Sequence, residues 1–269
     1  MTTRPTHRRT LRPAVGGTVA LLALSACSSS DDSARTSSPS SPGDLRGTVA
    51  VFAAASLKES FTTLGRAFEA AHPGTKVTFN FGGSDALAAG ITSGAPADVF
   101  AAASPKTMRI VTDAKEAAGA PATFARNRLE IAVVPGNPKG VATLEDLGKP
   151  GTKVALCAEE VPCGAAARKA LDAAGVKLTP VSYEQDVKSA LTKVELKEVD
   201  ASVVYRTDVK AAAGKVEGVE FPESARAVND YPIVLLEDAP NAEAAKAFVA
   251  LVRSGQGRKA LGEAGFLKP

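Results

Sequence analysis

Two hydrophobic periods take turns along this chain. Residues 48–52 are an apolar, largely β-branched run, which predicts a buried strand. Past three alanines and Ser56, the residues Leu57, Phe61, Leu64 and Phe68 fall at i, i+4, i+7 and i+11, one face of a helix. The serine between them is expected to cap that helix through its side-chain oxygen. The same order then recurs. Residues 76–81 read as a strand, Gly82, Gly83, Ser84 and Asp85 as a turn, and Leu87 and Ile91 as the start of a helix. Residues 98–101 read as a strand, and Ser104-Pro105 opens a helix by the cap-then-proline rule. Further strands are expected at 129–134, 153–156, 201–205 and 231–236. Residues 157–164 read as a loop, 165–174 as a helix closed by Gly175, and 186–194 as another helix. Two helices finish the chain from about Asn241. Strands alternating with helices predict α/β architecture, and no internal repeat is seen.

Ligands of open α/β sheets sit beyond the carboxyl ends of the strands, at helix N-termini. Those termini carry free N–H groups and about half a positive charge. Two of them, at Ser56 and Ser84, would make a donor-lined hole that needs no Lys or Arg. The alternative is two ordinary capped helices.

Composition narrows the chemistry. The 269 residues are 45% hydrophobic, enough for one large domain or two smaller ones. The net charge of +3 comes from the N-terminus, where Arg4, Arg8, Arg9 and Arg12 stand without an acid; without them it is −1. A near-neutral remainder argues against nucleic acid as a partner. Past residue 26 there is a single histidine, His72, in a His-Pro-Gly turn, and no G-x-S-x-G elbow. Phosphate-loop, dinucleotide and zinc spacings are missing too, and aromatic residues are 5% with no Trp. The balance favours a binder over an enzyme.

The N-terminus reads as an export signal over residues 1–26, with arginines at 4–12 and a short apolar segment at 14–24. Leu24-Ser25-Ala26-Cys27 resembles a bacterial lipobox, which implies cleavage before Cys27 and lipid on its sulfur. A Ser-, Asp- and Pro-rich stretch, residues 27–45, then reads as a disordered tether. A soluble secreted protein with an incidental cysteine is the other reading, and Arg8-Arg9 leaves twin-arginine export open. Export and an even count favour a disulfide between the remaining cysteines, Cys157 and Cys163.

Six stretches then occur together and in order: 51–57 (VFAAASL), 81–84 (FGGS), 94–100 (GAPADVF), 160–164 (EVPCG), 186–191 (DVKSAL) and 203–205 (VVY). In these the chain resembles the periplasmic or lipid-anchored molybdate-binding proteins of ABC importers, over most of residues 48–267. The resemblance implies a two-lobed fold of the type II periplasmic-binding-protein kind. Each lobe would be a sheet flanked by helices, lobe one from 46–126 and 230–269, lobe two from 127–229, joined by a hinge. It implies a molybdate or tungstate oxyanion between the lobes, no cofactor, and a monomer that delivers to a membrane permease from the outer face of the cytoplasmic membrane, held there by lipid at Cys27. The ligand-contacting serines fall on Ser56 and Ser84, the backbone N–H donors on Cys163 and Val187, and the tyrosine hydroxyl on Tyr205. Two positions depart from the family pattern. Cys163 stands where alanine is common, which leaves an amide donor intact. Asp85 follows Ser84, where the family has a small uncharged residue, and is expected to point away from the ligand. Glu159 and Glu160 put milder negative charge in a loop. A receptor for sulfate, or for iron through Tyr205, and a serine hydrolase acting at Ser56 stay open as alternatives.

Overall fold

Residues 45–269 are described by the structure, a computed structural model. They run in order through β1 (Gly47–Ala54), a 3-10 turn (Ala55–Leu57), α1 (Lys58–Ala71), β2 (Thr75–Gly82), α2 (Ser84–Thr92), β3 (Val99–Ala101), α3 (Pro105–Asp113), β4 (Ala122–Asn127) and β5 (Leu129–Val133). There follow β6 (Val154–Cys157), α4 (Pro162–Ala174), β7 (Ser182–Glu184), α5 (Val187–Glu195), β8 (Ala201–Tyr205), α6 (Arg206–Ala211), β9 (Glu217–Val219), β10 (Asn229–Leu235), α7 (Ala242–Arg253) and α8 (Gly255–Ala264).

The strands form two five-stranded sheets, ordered β2-β1-β3-β10-β4 and β7-β6-β8-β5-β9. The plan is the same in both. Three strands run parallel, β2, β1 and β3 in the first sheet and β7, β6 and β8 in the second. A fourth pairs antiparallel at their edge, β10 on β3 and β5 on β8, and the fifth runs antiparallel to it. The chain crosses between sheets twice, directly from β4 to β5 and from β9 into β10.

Each sheet buries its faces against helices and so forms a lobe. The expected stripe on α1 is the core of the first: Leu57, Phe61, Leu64 and Phe68 are all buried. Phe248 of α7 meets Phe61 and Phe68 nearly edge-on, with ring centres 6.0 and 5.6 Å apart. Leu45, the last residue of the expected tether, packs against this cluster. Residues α2 and α3 supply, among them Leu87, Ile91, Met108 and Val111, cover the opposite face. In the second lobe α4 and α5 bury Leu171, Leu191 and Val194 against Ile131 and Val203.

Several expectations are corrected. Ser56 does not cap α1: a 3-10 turn intervenes, Leu57 holds the cap position, and no side chain bonds the first amides. Helix α4 starts at Pro162, so Cys163 lies in its first turn and not in a loop. Strands β7 and β9 have three residues each, too few to show a period of two. Ser104 caps α3 as expected, accepting from the Thr107 amide, and Gly175 closes α4 at φ +68°.

A buried carboxylate ties the first lobe together. Asp98 is 1% exposed and accepts from the amides of Ala50 (2.7 Å) and Asn241 (2.6 Å), joining β1 to the start of α7. Asp98→Ala leaves both amides without an acceptor. It is expected to lower stability by about 2–5 kcal/mol, read as a lower urea midpoint at an unchanged m value.

Candidate binding cleft between the lobes

The parallel strands of each sheet end on one edge, and the two edges face each other across a cleft. The first lobe contributes Ala54 to Ser56 after β1, Gly82 to Ser84 after β2, and Ala103 after β3. The second contributes Val161 to Cys163 after β6, Asp186 and Val187 after β7, and Tyr205 at the end of β8. The space between them is small. Ser56, Ser84, Cys163, Val187 and Tyr205, far apart in sequence, all line it.

The helix starts leave particular amides free. Asp186 caps α5 by accepting from the amides of Lys188 (2.7 Å) and Ser189 (3.0 Å). The amide of Val187, the first helical residue, stays outside that cap. In α4 the first residue, Pro162, has no N–H, and the bond from the Ala165 amide to the Val161 carbonyl comes after Cys163 and Gly164. Cys163 is joined to Cys157 by the expected disulfide, which links the last residue of β6 to the first turn of α4. Gly164 is required beside it: a Cβ there would lie 1.9 Å from the Ala158 carbonyl oxygen.

Three hydroxyls complete the lining. Ser84 Oγ accepts from the Ala103 amide at 3.0 Å, which leaves its proton for another partner. Tyr205 accepts from Asn229 Nδ2 at 2.7 Å. Ser56 Oγ lies 2.8 Å from the hydroxyl of Tyr231. Burial pushes the pKa of Tyr205 well above the ordinary tyrosine value and raises that of Tyr231 as well, so both stay protonated. Tyr231, Asn229 and the Ala103 amide are absent from the expected set. Ala103 lines the cleft, while Tyr231 and Asn229 sit one layer behind it, and no motif marks any of them.

No Lys or Arg lines the cleft, and its one carboxylate, Asp186, is engaged with its own helix. Glu159 and Glu160 are exposed and outside the lining. Asp85 is a correction. It does not line the cleft, but it does not turn fully to solvent either: its Oδ1 is buried without a hydrogen-bond partner. The hydrolase alternative would need a base beside Ser56. His72, the single histidine among the described residues, packs at a tilt on Phe68 at the far end of α1, whose 14 residues span about 21 Å. For iron, among the described residues no group of three His, Cys, Asp or Glu is placed to hold a metal ion.

A family model for bacterial extracellular solute-binding proteins matches residues 49–267. The chain belongs to this family. It is 43% identical over 246 residues to the molybdate-binding protein ModA of Mycobacterium tuberculosis, covering 91% of this chain and 93% of the relative. The periplasmic molybdate-binding protein of Azotobacter vinelandii shares the fold with a TM-score of 0.73 at 21% identity, over 82% of this chain and 99% of that one. The sulfate-binding protein SubI of Mycobacterium tuberculosis shares it too, with a TM-score of 0.69 at 20% identity, over 82% of this chain and 86% of that one. Fold alone therefore does not select the anion.

In this solute-binding protein the basic residue next to the cleft is held back from it. Lys188 follows Val187, and its Nζ lies 2.9 Å from Glu59 of α1 and 3.0 Å from Asp208 of α6. Burial opposes the lysine's charge, yet Asp208 and Glu59 together raise its pKa. Asp208 is fully buried. Burial lifts its carboxyl from 3.8 to about 6, against the pull of Lys188. A folded-state pKa above the unfolded one gives stability that is complete below about 3.8 and lost as pH rises through about 6. Asp208→Asn removes this titration. The melting temperature of the wild type, measured relative to Asp208→Asn across a buffer series, is expected to fall between those two pH values.

Proposed function

We propose that this protein captures molybdate, or tungstate, outside the cytoplasmic membrane and hands it to the permease of an ABC importer. The observation that carries the reading is the cleft: five donors expected from the motifs line one small space, and no basic side chain does. The 43% identity to a molybdate-binding protein supports the same anion.

Neutral donors are enough for this task. Hydrogen bonds to a charged group contribute about 1.5–3 kcal/mol each. A handful, less desolvation and closure, reaches about −8 to −12 kcal/mol, micromolar to nanomolar. A site that only donates also discriminates. Hydrogen phosphate carries a proton that needs an acceptor, so it leaves a mismatched pair, whereas sulfate must be refused by size.

Residues 46–126 with 230–269 would move as one lobe against 127–229, hinged at the two crossings. Gly83 suits such closure, since a Cβ there would meet the Gln185 carbonyl of the facing lobe at 2.5 Å. The export signal, the lipid on Cys27 and nearly all of the tether fall outside the described residues. In this reading they hold a monomer at the outer face of the membrane, beside its permease.

Titration calorimetry with molybdate, tungstate, sulfate and phosphate tests the assignment; tighter binding of sulfate or phosphate than of molybdate overturns it. Ser84→Ala and Tyr205→Phe are each expected to weaken molybdate binding by about 1–3 kcal/mol. Gly83→Ala is expected to weaken it by a similar amount, about 1–3 kcal/mol, by obstructing closure. The ligand-free melting temperature of Gly83→Ala should match the wild type.

A further inference from the structure

We propose that Tyr231 and the hinge asparagines Asn127 and Asn229, none of which lines the cleft, decide which protonation state of an oxyanion it accepts. The proposal rests on the reading that the cleft holds an oxyanion. A hydroxyl both donates and accepts. Left alone, a serine or tyrosine could turn a lone pair toward a protonated anion and bind it. A hydroxyl has one proton and two lone pairs, and a bond accepted from the protein turns a lone pair inward and biases its proton toward the cleft.

All three cleft hydroxyls are biased in this way. Ser84 accepts from the Ala103 amide and Tyr205 from Asn229 Nδ2. For Ser56 the direction follows from the layer behind. Asn127 Oδ1 accepts from the Arg128 amide at 3.0 Å, which fixes the turn of its side chain. Its Nδ2 therefore faces Thr207 Oγ1 at 2.8 Å and the Tyr231 hydroxyl at 3.4 Å. Tyr231, accepting there, sends its own proton to Ser56, and Ser56 keeps its proton for the cleft. Asn229 is fixed by the same logic. Its Nδ2 faces the carbonyls of Ala103 (2.9 Å) and Pro162 (3.3 Å), and a flipped amide would set oxygen against both.

The two asparagines are cross-strand partners, Asn127 on β4 opposite Asn229 on β10. These are the strands by which the chain passes between lobes, so the hinge itself sets the polarity of the site. Asn127 and Tyr231 are 0% exposed, so bulk solvent does not reach them. The Tyr205 and Tyr231 hydroxyls also neighbour each other, and a dianion in the cleft outcompetes the Tyr231 oxygen for the Tyr205 proton.

The test is molybdate titration with phosphate competition on the full chain. Tyr231→Phe keeps the ring and removes the hydroxyl, freeing a lone pair on Ser56. The molybdate-over-phosphate preference is expected to fall by about tenfold, the worth of one hydrogen bond. In a Ser56→Ala background the same change should leave the preference where Ser56→Ala alone puts it. Asn127→Asp, nearly the same size, turns a donor into an acceptor and should shift the preference in the same direction as Tyr231→Phe. An unchanged preference in both variants, or a full effect of Tyr231→Phe without Ser56, overturns the proposal while molybdate capture stands. A wild-type chain that binds no molybdate overturns the reading of the cleft and the proposal with it.

Discussion

An anion moved out of water with no cation beside it has only hydrogen bonds to replace its hydration. That constraint governs how this protein is built. Donors must be numerous, already aimed, and spared from other bonds. Parallel strands solve the first part, because three of them ending on one edge bring three strand-to-helix turns together. Two such edges facing each other bring amides and hydroxyls from opposite sides, around one small space.

Keeping donors spare is the harder part, and it is solved locally. A capping side chain normally consumes the first amides of a helix. At α5 the cap reaches past Val187 to the next two residues. At α4 the capping position is Val161, whose side chain has no acceptor to offer, and Pro162 removes one amide that would otherwise need a partner. Charges are likewise kept occupied. Asp98 serves two backbone amides, and Lys188 is held between Glu59 and Asp208. The Lys188–Glu59 pair also joins α5 to α1 across the lobes, so the cation nearest the cleft is spent on a contact between them.

How much of this is legible in the sequence depends on the range of each interaction. The α1 stripe, the Ser104 cap, the Gly175 stop and β8 are set by neighbours within a few positions, and residues 104, 175 and 201–205 fall where periodicity and capping rules put them. Ser56 shows the limit. Its sequence context is that of an N-cap, but a buried tyrosine 175 positions away takes the hydroxyl. Asn127, Asn229 and Tyr231 carry no local signature, because their partners are chosen by the pairing of β4 with β10. The motifs identify the groups that line the cleft, and only tertiary structure shows what stands behind them.

The two halves of the cleft are not equally free to adapt. In the second lobe the Cys163 amide is held by a covalent bridge to the end of β6 and by contact tight enough to exclude any side chain at Gly164. The Val187 amide is held by the Asp186 cap. The first lobe presents Ser84 from the start of α2, tied to the Ala103 amide, and Ser56 from a turn whose hydroxyl bond runs to β10. These groups are thus ordered by bonds within their own lobes, and what separates the two sets is the distance across the cleft. Asn229 spans that distance, since one amide group touches Ala103 on one side and Pro162 and Tyr205 on the other. Under the proposed hinge closure, orientation of the Tyr205 hydroxyl would accompany the meeting of the lobes.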